Sequence, residues 1–237
     1  KMEELGIGPV LEELKTNDDL RIRQLLVSVA QNVGESALSR LISELNEERD
    51  SAVIGRIMEV IRNVGMDHLV LGLLRKLQGH PERKIRLEVV KTLFAKGTED
   101  AAALIATRIA DDDPQVRLSA IKCVGALKHK GAIPRLLELL EAKGLFARDE
   151  DPDVLEAVCI ALGRIGDEAS VPALLEMITA GSGLVTLKKA RPKNVRVAAA
   201  YALAGFTGRT DVRDALVAAL RDKDPYLRKT AAEIIGR

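Results

Sequence analysis

A phrase recurs along this chain at a near-fixed interval. Asp113-Pro114-Gln115-Val116-Arg117 opens one copy and Asp224-Pro225-Tyr226-Leu227-Arg228 opens another. Aligned on the arginine, the copies fall at Arg23, Ile54, Arg86, Arg117, Leu155, Arg196 and Arg228. The intervals are 31, 32, 31, 38, 41 and 32 residues. A unit of this length cannot bury its own apolar face. Seven of them therefore imply a stacked array in which each copy covers its neighbour.

The pattern inside a copy is helical. Asp113 before Pro114 is an N-cap followed by proline at the first helical position, where its missing N–H costs nothing. Counted from Arg117, apolar side chains stand at −1, +3, +4, +7 and +10: Val116, Ala120, Ile121, Val124 and Leu127. That is a 3.6-residue stripe, not a strand alternation. The same offsets give Ile22, Leu26, Val27, Ala30 and Val33 in the first copy, and Val195, Ala199, Ala200, Leu203 and Phe206 in the sixth. A shorter apolar helix precedes each of these, as in Ile133-Pro134 leading into Leu136, Leu137 and Leu140. Gly34, Gly65, Gly97 and Gly166 stop the second helix, where a left-handed residue is favoured.

The repeated arginine requires a reason. A cation in the first turn opposes the helix dipole by roughly 0.3–1 kcal/mol. The expected compensation is the cap acid of an adjacent copy, with Asp113 and Glu82 flanking Arg117. This gives a ladder through Asp19, Arg23, Arg86, Asp113, Arg117, Asp151, Arg196, Asp224 and Arg228. Ile54 and Leu155 break it, and copy six has Pro192 in place of the cap acid.

These features resemble the HEAT-repeat superfamily, in particular the short bacterial repeats similar to those of phycobilisome lyases. The resembling signature is an x-Pro-x-Leu-Leu first helix, then Asp-Pro-x-Val-Arg, alanine at +3, and a closing Leu-Gly or Ile-Gly. Asp113 to Leu127 and Val171 to Ile178 match it best, while copies one and two match only in apolar spacing. The expected fold is all-α, a right-handed α-solenoid of about seven HEAT-like helix pairs, with residues 1–237 forming a single domain. The resemblance specifies fold and not activity, since such repeats accompany scaffolds, lyases and regulators alike.

Two copies are overlong. The extra residues lie around Glu141 to Asp149 and around Thr179 to Pro192, each between the two helices of its copy, so both are expected at one edge. The first insertion contains Leu145, Phe146 and Arg148 before the acidic run Asp149-Glu150-Asp151. The second contains Gly181-Ser182-Gly183, then Lys188, Lys189, Arg191 and Lys193. Either these form a binding edge, as insertions on one face of a solenoid often do, or the basic loop simply packs on the acidic one. The Gly-Ser-Gly element lacks the spacing of a phosphate-binding loop.

Catalytic signatures are absent. His68, His80 and His129 sit in no metal-ligand spacing and are expected at the surface, and the chain has no Trp. Cys123 and Cys159 lie at apolar helix positions, where a free thiol behaves as a small hydrophobe, and they imply a reducing, cytoplasmic compartment. Formal net charge is +1, so no whole-protein field favours a nucleic acid or an anionic membrane. No 18-residue apolar run is present. The expectation is a protein that is not an enzyme and needs no cofactor or metal.

What remains is binding. Offsets +2, +5 and +8 of the second helices should point outward on a concave face. They carry Arg56, Glu59, Arg62, Glu88, Lys91, Phe94 and Lys122 in copies two to four. In copies five and six they carry Ala157, Ile160, Gly163, Ala198, Tyr201 and Ala204. The expected role is a non-catalytic scaffold that docks a protein segment there or on the loop edge. The alternatives are a lyase-like or chaperone-like subunit acting on a client, and nucleic-acid binding through residues 188–196. Ile234 and Ile235 leave the last helix apolar, so the expected partners include the rest of a longer chain and a second copy bound end to end.

Overall fold

The structure, a computed structural model, describes residues 4–48, 50–64, 68–141, 150–179 and 191–236. Fourteen α-helices and no strand occur among them. The chain divides into two compact units, Lys1–Ile105 and Ala106–Arg237. In the first lie α1 (Glu4–Thr16), α2 (Leu20–Val33), α3 (Glu35–Glu47), α4 (Ser51–Val64), α5 (His68–Leu77) and α6 (Arg83–Lys96). The division falls inside α7 (Glu99–Thr107). In the second lie α8 (Pro114–Ala126), α9 (Ile133–Leu140), α10 (Pro152–Ile165) and α11 (Val171–Thr179). α12 (Lys193–Leu203), α13 (Thr210–Ala219) and α14 (Pro225–Ile235) complete it.

Each unit is a two-layer α-solenoid. In the first, α2, α4 and α6 pack in series beside a layer of α1, α3 and α5; in the second, α8, α10, α12 and α14 pack in series beside α9, α11 and α13. The apolar stripe fills the space between layers. At −1, Ile85, Val116, Val195 and Leu227 are fully buried, and so at +7 are Ile61, Leu93, Val124, Leu162 and Leu203. Position +3 is buried too, and alanine there in copies four, six and seven fits the thin layers.

Two glycines set the helix spacing of the second unit. A Cβ on Gly125 would lie 2.8 Å from the Ala161 Cα, and one on Gly163 would lie 2.7 Å from the Ala202 Cα. Both glycines are at +8 and both alanines at +6 of the next copy, so α8, α10 and α12 touch backbone to backbone at one level. Gly166 and Gly97 take the left-handed conformation that ends their helices, whereas Lys128 takes it (φ 52°) after α8.

In three copies the repeated arginine pairs across copies with an acid other than the expected cap: Arg23 with Glu59, Arg117 with Glu150 and Arg196 with Asp222. The cap carboxylates are occupied locally: Asp113 accepts from the Gln115 and Val116 N–H groups, Asp224 from Tyr226 and Leu227, Asp151 from Asp153, and Asp19 from Arg21. The guanidinium also folds back over the chain entering its own helix. Arg117 donates to the carbonyls of Asp111 (2.7 Å) and Asp112 (3.0 Å), Arg86 to those of His80 and Pro81, and Arg228 to those of Asp222 and Lys223. Arg23 donates to the Asp18 carbonyl and carboxylate. Oxygen acceptors behind the helix thus offset the dipole's repulsion.

The remaining N–H groups of three arginines reach the next copy. Arg117 meets Glu150 at 2.6 Å, one residue before the cap Asp151, and Arg23 lies 3.2 Å from Glu59. Arg196 grips both oxygens of Asp222 at 3.0 and 2.5 Å and donates twice to the Ile178 carbonyl in α11. For Arg117 and Arg196 the partner is the acid that precedes the cap, and such an acid also orients the cap: Glu150 accepts from the Asp151 N–H. Asp111 accepts from the Asp113 N–H and Asp222 from the Asp224 N–H.

In the copies lacking the arginine, other guanidinia reach helix-end carbonyls. Arg56 donates to Leu14 and Lys15 at the end of α1, and Arg191 to Leu140 at the end of α9. Ile54 and Leu155 are buried apolar residues.

Two tests follow from this packing. Gly163→Ala adds a Cβ against backbone, and roughly 1–3 kcal/mol of overpacking outweighs the roughly 1 kcal/mol helix-propensity gain. Gly72→Ala, where nothing lies within 4 Å of the added Cβ, keeps the gain alone. Urea unfolding should move the two midpoints in opposite directions.

The second test concerns the Arg196–Asp222 pair, whose side chains are 9% and 12% exposed. Hydrogen bonds from Arg196 hold the Asp222 carboxyl below its usual range. Its contribution is present above the unfolded-state pKa near 3.9 and is lost as pH falls through the lower folded value. Asp222→Asn should cost about 2–4 kcal/mol at pH 7, and the deficit should close as both proteins are acidified below about pH 4.

Candidate interaction surface

The second helices of the second unit present one face away from the core, and only part of the expected outward set reaches solvent. Ala157 and Ala198 at +2 are each 6% exposed, and Gly125 at +8 is buried against Ala161. The close helix approach covers these positions. Offset +5 emerges in every copy of the unit: Lys122 is exposed, Ile160 is 40% exposed, Tyr201 47%, and the Glu233 side chain 39%.

A groove of about 400 Å³ runs between α8 and α10. Its floor is Leu118, Ala157, Ile160 and Ala161. Asp153 and Glu156 flank it toward the N-terminus of α10, and Lys122 and Arg164 toward the C-terminal ends of the two helices. Acids at the start and cations at the end agree with the helix dipoles. Polar contacts tie the neighbouring helices together above the floor. Asn194 of α12 donates to Glu156 of α10 at 2.7 Å, and the Tyr201 hydroxyl donates to Glu233 of α14 at 2.9 Å. The Lys193 ammonium sits 4.2 Å from the centre of the Tyr226 ring. Both tyrosines of the chain thus belong to this face.

Other residues expected to bind a partner are distributed differently. In the first unit Arg62 is paired with Glu88, and Lys91 meets the same carboxylate at 2.7 Å. Arg191, expected at a free basic edge, serves the α9 terminus because that carbonyl has no partner within its helix. Arg196 is 7% exposed and committed to Asp222. Leu145, Phe146, Arg148, Lys188 and Lys189 lie outside the described residues.

The thiols are poorly suited to nucleophilic work. Burial pushes Cys159 up to about 12 and Cys123 up to about 11. His129, expected at the surface, is 7% exposed and lies over Gly131, whose lack of a Cβ makes room for the ring. His80 accepts the Glu82 N–H through Nδ1 as part of the helix entry. Among the described residues no group of three His, Cys, Asp or Glu could hold a metal ion, and no helix is long and apolar enough to cross a membrane.

The family model described as HEAT repeats matches residues 70–144 and 182–237, more than half of the chain. The chain belongs to the HEAT-repeat family. A second model, PBS lyase HEAT-like repeat, matches residues 154–179. Among solved structures, an engineered protein is 16% identical, with 98% of this HEAT-repeat chain and 67% of that chain covered at a TM-score of 0.55. Human deoxyhypusine hydroxylase in complex with glycerol is 15% identical, with coverage of 99% and 96% and a TM-score of 0.43. The complex of CpcE and CpcF of phycocyanin lyase from Nostoc sp. PCC7120 is 21% identical, with coverage of 96% and 74% and a TM-score of 0.45. The likeness to the engineered protein is one of fold alone. No curated protein sequence matches the chain.

Thiol burial gives a direct check. Burial keeps the Cys159 thiol protonated at pH 8, so Ellman's reagent should modify the folded HEAT-repeat protein far more slowly than the urea-unfolded chain. Rapid modification of Cys159 in the folded protein would contradict its burial.

Proposed function

We propose that this HEAT-repeat protein is a non-catalytic interaction module that docks a segment of a partner protein across the second-helix face of residues 106–237. The observation that carries the reading is Ile160. A large aliphatic side chain stands 40% exposed at the floor of an open groove, flanked by charges of both signs. An apolar anchor ringed by polar groups is the arrangement that seats a peptide.

The competing readings have less support. A lyase-like subunit acting through a thiolate would need a cysteine of lowered pKa, and burial moves both thiols the other way. Phosphate binding through residues 188–196 would need free cations. Arg191 and Arg196 are occupied by a carbonyl and a carboxylate, and Lys193 lies on an aromatic ring.

Site-specific photo-crosslinking in the native extract tests the proposal. A benzophenone side chain at position 160 or 201 should give a discrete protein adduct, and one at position 135, exposed on α9, should not. Ile160→Asp should abolish the adduct formed from position 201 while leaving the urea midpoint within about 0.5 kcal/mol of the parent. Equal adducts from positions 135 and 160, or adducts to nucleic acid, would defeat the reading.

A further inference from the structure

Offset +5 of the four consecutive second helices forms an ordered series. At offset +5, α8 carries Lys122, α10 Ile160, α12 Tyr201 and α14 Glu233, and each helix packs on the next. Crossing the helices in that order, a ligand meets a cation, an aliphatic group, an aromatic group and a carboxylate. Packed helices lie about 8–10 Å apart, and an extended chain rises about 3.3 Å per residue. Each step along the series therefore matches about three residues of an extended peptide. The whole row spans about 27 Å, or about nine residues.

We infer that the segment docked by this face is extended, runs across the helices, and carries an acid and a base about nine residues apart with two apolar residues at the intervening thirds. This rests on the reading of the face as a peptide-docking surface and adds the ligand's charge order and spacing. Complementarity supplies the order. Lys122 takes the acid, with Arg164 on the same groove adding to its field. The groove floor around Ile160 takes the first apolar residue, and the Tyr201 ring takes the second. Glu233 takes the base: its carboxylate accepts the Tyr201 hydroxyl at 2.9 Å and lies 3.8 Å from Lys229, and its side chain is 39% exposed. A row with unlike ends discriminates against a segment with like charges at both ends, because one end then meets repulsion. A helical occupant would need about 18 residues to place its charges the same distance apart.

The experiment uses fluorescein-labelled peptides and the full chain, read by polarisation. The ten-residue probes carry leucine at the fourth and seventh positions. Their first and last residues are Glu and Lys, Glu and Glu, or Lys and Lys. The mixed peptide should bind at least tenfold more tightly than either other. Lys122→Glu, which makes both ends of the row acidic, should weaken the mixed peptide about tenfold and make the Lys–Lys peptide the preferred one. Ile160→Asp should weaken all three alike. Equal affinities of the three peptides for the parent protein, with Ile160→Asp still abolishing binding, would overturn the charge order while leaving the docking face standing. Full binding to Ile160→Asp would overturn both. Tighter binding of an 18-residue helical peptide with the same end charges would overturn the extended conformation, and no binding of the mixed peptide up to 1 mM would overturn the proposal as a whole.

Discussion

Each unit depends on what an arginine can do in an unfavourable place. In the first turn of a helix its charge opposes the dipole, yet five of seven copies place one there. The guanidinium has five donors in a planar fork. It can satisfy two carbonyls of the entering chain and still reach a carboxylate of the next copy, as Arg117 does with Asp111, Asp112 and Glu150. One side chain thereby fixes the turn inside its own copy and the register of the following one. A lysine has the charge without the fork and could not hold both at once. The same chemistry persists where the position is lost, with Arg56 and Arg191 brought to helix-end carbonyls from elsewhere in the chain.

The second constraint is small residues in contact. The +8 glycines against the +6 alanines of the next copy bring α8, α10 and α12 together at one level. At the offsets lying against a neighbouring helix, solvent is excluded, so Ala157 and Ala198 are covered although they lie on the outward side of their helices. Of the +2 and +5 positions only +5 stays accessible in α10 and α12, at Ile160 and Tyr201. The stacking therefore reduces a broad outward face to a single row of side chains with grooves between them, and the α8–α10 groove is deep enough to expose Ile160.

The helix pairs were legible in the sequence because their signals are local. Cap, proline, apolar spacing and glycine stop all lie within one copy, and in copies two to six the stripe at −1, +3 and +7 is buried as its period demands. The ladder's partner was harder to place. The cap aspartate looked wholly available, but one of its oxygens is engaged by the N–H groups of its own helix, as Asp113 shows. The acid that precedes it was visible in Asp111-Asp112-Asp113-Pro114 and Asp222-Lys223-Asp224-Pro225, and its function follows only from three-dimensional reach. Arg191 was misleading for a similar reason: its partner, the Leu140 carbonyl, lies 51 residues back. No pattern marks an unsatisfied backbone oxygen from that distance.

Comparison among the copies separates the residues that build the stack from those free to vary. Position −1 is always aliphatic, and +7 is aliphatic in six copies and alanine in the first; both lie toward the core except at the ends, where Ile22 is half-buried and Ile235 is 44% exposed. Position +5 reads Ser28, Glu59, Lys91, Lys122, Ile160, Tyr201 and Glu233, with no residue type shared through the series. In the first unit its charges are engaged in ion pairs, Glu59 with Arg23 of the preceding copy and Lys91 with Glu88 of its own helix. In the second unit Ile160 carries no charge and is 40% exposed, and leaving that part uncovered has a hydrophobic cost of about 25 cal/mol per Å². Serine or lysine would fit the same position without that cost, as they do in other copies. An aliphatic residue there, on the floor of a groove and one helix away from an exposed tyrosine, has its physical rationale in what it covers when a partner arrives.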